Sequence, residues 1–340
     1  MTTPTTTIAF FNNKSGVGKT SLVYHTAWMF AELGARVVAV DLDPQANLTS
    51  AFLDDDRLEN LWSDESTERT IFGCVRPLIE GTGDVADPCP ERMDDSLWDF
   101  LWLVVGSLYL SRFEDQLSET WSICLDKNPR AFRVTSAFWR IMQRAAQIAE
   151  ADVVLMDLGP NLGAINRAAL ISADYVVVPV APDLFSLQGL RNLGPALNQW
   201  NSQWADRTTK NPVPGLSLPP GPIKPIGYIV MRHSERLSRP TKAYEKWAAR
   251  IPSLYRSEVL GKSTPPGGIE MEGDENCLAM LKHYRSLMPL AQEARKPIFR
   301  LKAADGVVGA HAQTVQDAYG HFRTLACEIA KRTGIPIPIS

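Results

Sequence analysis

The chain is expected to fold as α/β, a single domain built on a mostly parallel, twisted sheet with helices on both faces. Three observations predict this. Short, nearly all-apolar runs rich in valine recur along the chain, as in strands buried on both faces. Stretches with helical spacing separate them, the βαβ alternation that brings parallel strands together through right-handed crossovers. The alternation also spans nearly all 340 residues without an internal repeat, so one domain over 1–340 is expected rather than two.

Residues 7–12, "TIAFFN", read as the first buried strand, followed by the glycine-bearing loop "NKSGVGKTS". A helix is expected from about Thr20 to Leu33, with Gly34 in the left-handed position that ends it. "ARVVAVDLD" is the second strand and finishes in carboxylates. Residues 52–100 are acidic and irregular, an insertion with a helix or two and surface loops. "FLWLVVGS" reads as a strand and "TSAFWRIMQRAAQIAEA" as an amphipathic helix. "DVVLMDLGP" and "DYVVVPVAP" are two further strands, separated by the helical "NRAALISA". A helix over 185–200 leads into a Pro/Gly-rich connector at 201–225, then the strand "IGYIVMR" and a basic, tryptophan-containing segment at 232–290. The C-terminal "AHAQTVQDAYGHFRTLACEIAKRTG" has helical spacing, a last-turn Lys-Arg pair and a closing glycine.

Composition narrows the function. At 45% hydrophobic and 21% charged residues the chain reads as soluble and globular, and no apolar run nears the roughly 18 residues that span a bilayer. The N-terminal "MTTPTTT" lacks the features of a signal peptide, so a cytoplasmic protein is expected. The five cysteines are scattered, which argues against a disulfide framework or a zinc site. Net charge is −3 but uneven: residues 224–302 hold 15 Lys+Arg against 8 Asp+Glu, leaving −10 elsewhere. One face suited to a polyanion is the implication.

The loop after the first strand carries the chemistry. The phosphate-binding pattern G-x-x-x-x-G-K-[ST] would put glycine at position 13, where the chain has Asn13, followed at once by Lys14. Gly16 and Gly18 let the backbone approach a phosphate, with successive N–H groups turned inward as an anion nest. Lys19 would face the β/γ-phosphates and the Thr20 hydroxyl would ligate Mg²⁺. Asp157 tips a buried apolar strand, where a cation explains an otherwise costly carboxylate. Asp41 and Asp43 end another strand, two residues apart and on the same side, so something positive is expected between them. His25, on the helix after the loop, reads as a packed or surface residue rather than a catalyst.

"NKSGVGKTS", "DLDPQANLTS", "VVLMDLGPNLG" and "SADYVVVPVAPDLFSLQGLRNL" together resemble the ParA/MinD group of deviant Walker-A ATPases, and most of all the ParA-type partition ATPases. "LVVGSLYLSRFEDQLSE" and the C-terminal region from "LMPLAQ" are similar too, so the resemblance runs from about Thr7 to Thr333. It implies a P-loop fold and a Mg²⁺-dependent ATPase that hydrolyses ATP slowly until a ParB-like adaptor or cargo-linked activator stimulates it. It implies an ATP-dependent homodimer in which Lys14 reaches the partner's phosphates, Asp43 orients the attacking water, and Thr20, Asp41 and Asp157 surround Mg²⁺. Nucleotide contacts carry over to Ser15, Gly16, Val17, Gly18, Lys19, Thr20 and Ser21, and adenine contacts to Met231 and Arg232. Three departures stand out: Ser15 and Ala46 where the family has glycine, and "DLGPNLG" for a double-proline version.

The resemblance further implies sequence-nonspecific DNA binding in the ATP state, and hence association with the nucleoid. Candidate contacts are Arg236, Arg239, Lys242, Lys246 and Arg250, since Pro240 can open a helix that aligns Lys242, Lys246 and Arg250 at i, i+4 spacing. The end "KRTGIPIPIS" has two prolines in five residues, which forbids a C-terminal membrane-binding helix. Two alternatives remain: the same switch positioning a protein cargo or serving conjugation or defence, and a P-loop biosynthetic ligase. "DLDPQAN" and the absence of a second catalytic constellation weigh against the ligase.

Overall fold

The computed structural model describes residues 3–63, 67–93, 99–232, 242–265, 267–282, 284 and 286–338. Strand β1 (Thr6–Phe10) leads through the glycine loop into α1 (Lys19–Glu32), and Gly34 ends that helix at φ +83. Then come β2 (Val37–Asp41), α2 (Asn47–Phe52), α3 (Asp55–Leu61), α4 (Ile71–Glu80), β3 (Glu91–Arg92) and β4 (Leu101–Val104). The middle of the chain forms α5 (Glu114–Ile123), α6 (Pro129–Thr135), α7 (Ala137–Ile148), β5 (Val153–Asp157), α8 (Ala164–Ile171), β6 (Tyr175–Val180) and α9 (Leu184–Thr208). The last part holds β7 (Lys224–Arg232), α10 (Lys242–Ala248), α11 (Ile251–Leu254), β8 (Cys277–Lys282), α12 (Met288–Ala294) and α13 (Ala310–Thr333).

These strands form one eight-stranded sheet in the order β3-β4-β2-β5-β1-β6-β7-β8, parallel except for the two-residue β3. Alternate residues of each central strand enter different cores, as period-2 geometry requires. Ala9, Val38, Val40, Val154 and Met156 join the core under α4, α7, α8 and α9. Ile8, Phe10, Val37, Ala39, Val153 and Leu155 join the one under α1 and α13. The all-apolar strands are therefore the consequence of a sheet covered on both sides.

One segment holds the helix or two expected of it but packs into the core, and two others differ from the expectation. Residues 52–100 hold α3, α4 and β3, and α4 buries Ile71, Val75 and Leu78 in the main core. Its apolar stripe is masked in the sequence by acidic neighbours on both sides. Helix α9 runs through Pro195 to Thr208, so the connector begins only after it. Within 232–290 the edge strand β8 pairs with β7, a strand missed because its alternate residues are only half-buried and one end is Lys282.

His25 joins the two ends of the chain. Its Nδ1–H donates to the Ser21 carbonyl at 2.7 Å, and its Nε2 accepts the Ile298 N–H at 3.2 Å. The ring stacks on Phe322 of α13, centroids 4.9 Å apart. It is a packed residue, and burial pulls its pKa down to about 4. A base whose folded pKa lies below its unfolded value of about 6.5 contributes stability that is complete above that value and is lost as pH falls toward 4. Across that window the contribution is roughly 3 kcal/mol. Urea unfolding at pH 7 and pH 4.5 should therefore show a smaller pH difference in His25→Gln than in the parent chain; an equal difference would refute the neutral, tightly packed imidazole.

Close packing on the other face depends on Gly194 in α9. A Cβ there would fall 1.8 Å from the Glu258 carbonyl oxygen, in the wide turn Tyr255–Val259. The obstacle is backbone, so Gly194→Ala should lower stability by about 3 kcal/mol, read as a lower urea midpoint. An unchanged midpoint would show that the two segments are not packed this way.

Candidate nucleotide site

The carboxyl ends of the parallel strands border a cleft of about 690 Å³, lined by Gly16, Lys19, Thr20, Asp43, Pro160 and residues of α12 including Gln292; Lys14, Asp41, Asp157 and Met231 are not part of its lining. Gly16 and Gly18 have φ +70 and +87, a region that only glycine enters freely. Neither Asn13 nor Ser15 has a positive φ, so neither position needs glycine. A Cβ on Gly18 would also come within 3.0 Å of Met231 Cε, which puts the end of β7 against the loop. Arg232 ends that strand with its side chain outside the described residues. Val17 is buried beneath the loop, Ser15 is exposed, and Ser21 begins the cleft wall shared with His25.

Lys19 is buried, and its ammonium donates to the Asn12 carbonyl at 3.2 Å and the Lys14 carbonyl at 3.1 Å. Burial pulls its pKa below the usual lysine value, while Asp157 and Asp43 act to raise it. Asn12 is itself anchored, donating from Nδ2 to the Pro179 carbonyl at 2.8 Å. It fits only because α9 has Gly189 there, where a Cβ would lie 2.3 Å from Asn12 Oδ1. Lys14 does not point at its own loop. Its ammonium meets Asp183 Oδ2 at 2.5 Å, while Asp183 Oδ1 accepts the Ser186 N–H at 2.9 Å and caps α9.

Asp41 and Asp157 are register partners on adjacent strands, both fully buried. Asp41 Oδ2 accepts the Thr49 N–H and the Thr49 hydroxyl, each at 2.8 Å. Gly106 closes over this pair; a Cβ there would sit 2.8 Å from the Asp41 carboxylate. Burial pushes Asp41 up to about 7, against the Thr49 hydrogen bonds. Asp157 is raised well above the usual carboxylate range, by burial and then by Asp41, with Thr20 and Lys19 opposing. Neither Asp157 oxygen has a hydrogen-bond partner of normal geometry. A buried, unpartnered carboxylate beside a threonine hydroxyl is the donor set that suits Mg²⁺, which prefers one or two carboxylates plus phosphate oxygens and water. Thr20 and Asp157 thus fit the ion; Asp41 has one oxygen committed to Thr49.

Asp43 is nearly buried and accepts the Gln45 N–H at 3.0 Å. Gly159, in the loop after β5, packs against it, with a Cβ position 3.3 Å from Asp43 Oδ1. Ala46 stands at φ +52, in the left-handed region that glycine occupies without strain. Sequence reasoning missed Thr49, Gly106, Glu114 and Asn166, which support these carboxylates and the loop beside them. Their only signal was a position near a motif.

The basic candidates are distributed differently. Arg236 and Arg239 lie outside the described residues, and Lys242 opens α10 with its side chain outside them too. Lys246 and Arg250 are exposed, each 5.1 Å from the Trp247 ring centroid. α10 stops at Ala248, so Arg250 is not part of one continuous helical stripe. A larger hollow, about 960 Å³, lies at the opposite ends of the strands, around Thr5, Arg140 and Ala151. Its arginines Arg133 and Arg140 are engaged by Asp84, and Arg144 by Asp87, which leaves the glycine-loop cleft as the site with the chemistry. Among the described residues no helix is long and apolar enough to cross a membrane.

Comparison with known proteins agrees with the fold. A family model described as AAA domain matches residues 5–209. The sporulation initiation inhibitor protein Soj of Bacillus subtilis is 28% identical over 186 residues, 55% of this chain and 62% of Soj. The chain thus spans less than two thirds of that relative's length. Among solved structures, protein DIP2308 of Corynebacterium diphtheriae superposes with a TM-score of 0.71 at 23% identity, covering 96% of this chain and 98% of that one. The structure described as pnob8 ParA gives 0.64 at 19% identity, covering 97% and 99%. The chain belongs to the AAA domain family, of the ParA/MinD type, with the P-loop fold.

Proposed function

We propose that this protein is an ATP-dependent dimerising switch of the ParA type, which binds DNA without sequence preference when ATP-bound and acts in DNA partition. A ParB-like adaptor would stimulate its hydrolysis, and the ATP-bound dimer would reside on the nucleoid in the cytoplasm. The observation that carries the proposal is the placement of Lys14. It leaves its own glycine loop and sits at the rim on Asp183, with 22% of its side chain exposed. Beside it are two apolar side chains exposed to solvent, Leu184 and Phe185, at 50% and 73%. Leu108 and Tyr109, which follow β4 at the same end of the sheet, are also exposed. An ammonium and a broken apolar face at the mouth of a phosphate site suit the approach of a second copy.

In this reading the amides of Gly16 to Thr20 cradle the phosphates, and Lys19 exchanges its two carbonyl partners for phosphate oxygens. Thr20 and Asp157 would hold Mg²⁺, with Asp41 nearby, and the bound ion would supply positive charge against the phosphates. Asp43 orients the attacking water. Lys14 gives up Asp183 and delivers its charge to the partner's phosphates, so each active site is completed by the other chain. Met231, and Arg232 next to it, would border the adenine. Lys246 and Arg250, with Arg236, Arg239 and Lys242, would neutralise DNA phosphates, making binding steeply salt-dependent.

Lys14→Ala should retain ATP binding but fail to dimerise with ATP in sedimentation, with turnover reduced about 100-fold or more, since a charge supplied in trans is worth that much or more in related chemistry. Asp43→Ala should instead accumulate the ATP-bound dimer with turnover near background. Normal dimerisation and turnover in the lysine variant would remove the cross-subunit role. For DNA, fluorescence anisotropy with ATP, with ADP and without nucleotide should show binding only with ATP and a steep loss as salt rises. Binding independent of ATP, or none at micromolar protein in low salt, would overturn the partition reading.

A further inference from the structure

We infer that Glu114 and Asn166 are positioning residues for hydrolysis, holding the loop 158–163 so that Gly159 presses against Asp43. The inference rests on the role assigned above to Asp43. Neither residue lines the cleft.

Helix α8 begins at Gly163, which has no side chain to cap its first amides. Glu114, fifty residues earlier at the start of α5, fills that role. Its two carboxylate oxygens accept the Ala164 N–H at 2.5 Å and the Ile165 N–H at 2.8 Å. A carboxylate on a helix N-terminus is favoured both by charge-assisted hydrogen bonding and by the helix dipole. The approach excludes any side chain at position 163, where a Cβ would be 2.6 Å from Glu114 Oε1. Arg167 reinforces the joint, donating to the Leu117 carbonyl at 3.0 Å with its guanidinium 4.6 Å from the Trp121 ring centroid.

Asn166 then turns back from the first turn of α8. Its buried Nδ2 donates to the Gly159 carbonyl at 3.0 Å, the Asn161 carbonyl at 2.6 Å and Asn161 Oδ1 at 3.1 Å. Asn161 Oδ1 also accepts the Gly163 N–H at 2.9 Å. The loop is thus tied at both ends and in the middle. Pro160 of this loop lines the cleft, and Gly159 lies next to Asp43. An in-line attack tolerates little displacement of the group that orients the water, so a slack wall should cost rate rather than affinity.

A mere helix cap would affect stability alone, and this separates the two cases. Full-length Asn166→Ala, Glu114→Ala and Glu114→Gln are compared with the parent chain by equilibrium binding of radiolabelled ATP with Mg²⁺, by single-turnover hydrolysis and by urea unfolding. ATP affinity should stay within threefold, and the hydrolysis rate should fall at least tenfold in both alanine variants. Glu114→Gln, whose side-chain oxygen still accepts one amide, should recover most of the rate; it also serves should an alanine variant fail to fold. Unchanged rates, or rates that fall only with the folded fraction or with ATP affinity, would overturn the positioning role while leaving the ATPase reading intact. Failure of the parent chain to bind and hydrolyse ATP would overturn the proposed function, and this inference with it.

Discussion

Two carboxylates side by side at the ends of β2 and β5 constrain the rest of the site. Asp41 and Asp157 are paired in register and fully buried; burial raises both, and Asp41 adds to the cost of ionising Asp157. A sheet does not tolerate such a pair without compensation. Compensation comes from opposite directions: Thr49 binds Asp41 from α2, while Lys19 lies near Asp157 from the glycine loop. Neither oxygen of Asp157 has a hydrogen-bond partner of normal geometry, and these open oxygens make the place a cation would take. The glycine at 106 then follows, because a Cβ there would sit 2.8 Å from the Asp41 carboxylate.

The two faces of the sheet share the work unequally. Beneath the α1 face, His25 ties the phosphate-loop helix to α13 and to residues 297–299, giving the loop a rigid base. On the other face, α5, α8 and α9 control the parts nearest the reacting groups. Gly189 of α9 lets Asn12 lie under the loop, Asp183 receives Lys14, and α8 carries the loop after β5. Approach of a second copy at Leu184 and Phe185 would therefore act on the face that carries the movable contacts.

Most of the central sheet was legible because its signals are local. A strand buried on both sides must be apolar throughout, and a phosphate loop must have glycine where φ is positive, so β1, β2, β5 and β6 and the loop between β1 and α1 were readable from short stretches. Edge strand β8 was not, because an edge strand half-covered by solvent needs neither rule. A helix or two was expected where α4 lies, but its place in the core was not legible, because its apolar stripe makes sense only against its neighbours. Glu114 and Asn166 were unreadable for a related reason. Their partners lie in another element or in the backbone, and backbone hydrogen bonds leave no mark on composition.

By itself the sequence determined that the chain forms a parallel, doubly covered sheet with a phosphate loop and carboxylates at its strand ends, since steric and solvation rules act there over a few residues at a time. It also determined that Lys14 is an extra cation beside that loop. Only the tertiary structure decided that Asp41 and Asp157 face each other, that Lys14 rests on Asp183, and that α8 is capped from α5. Those contacts join residues separated by 50 to 169 positions. Register between strands and docking of helices on the sheet create them, and neither is written in any one segment.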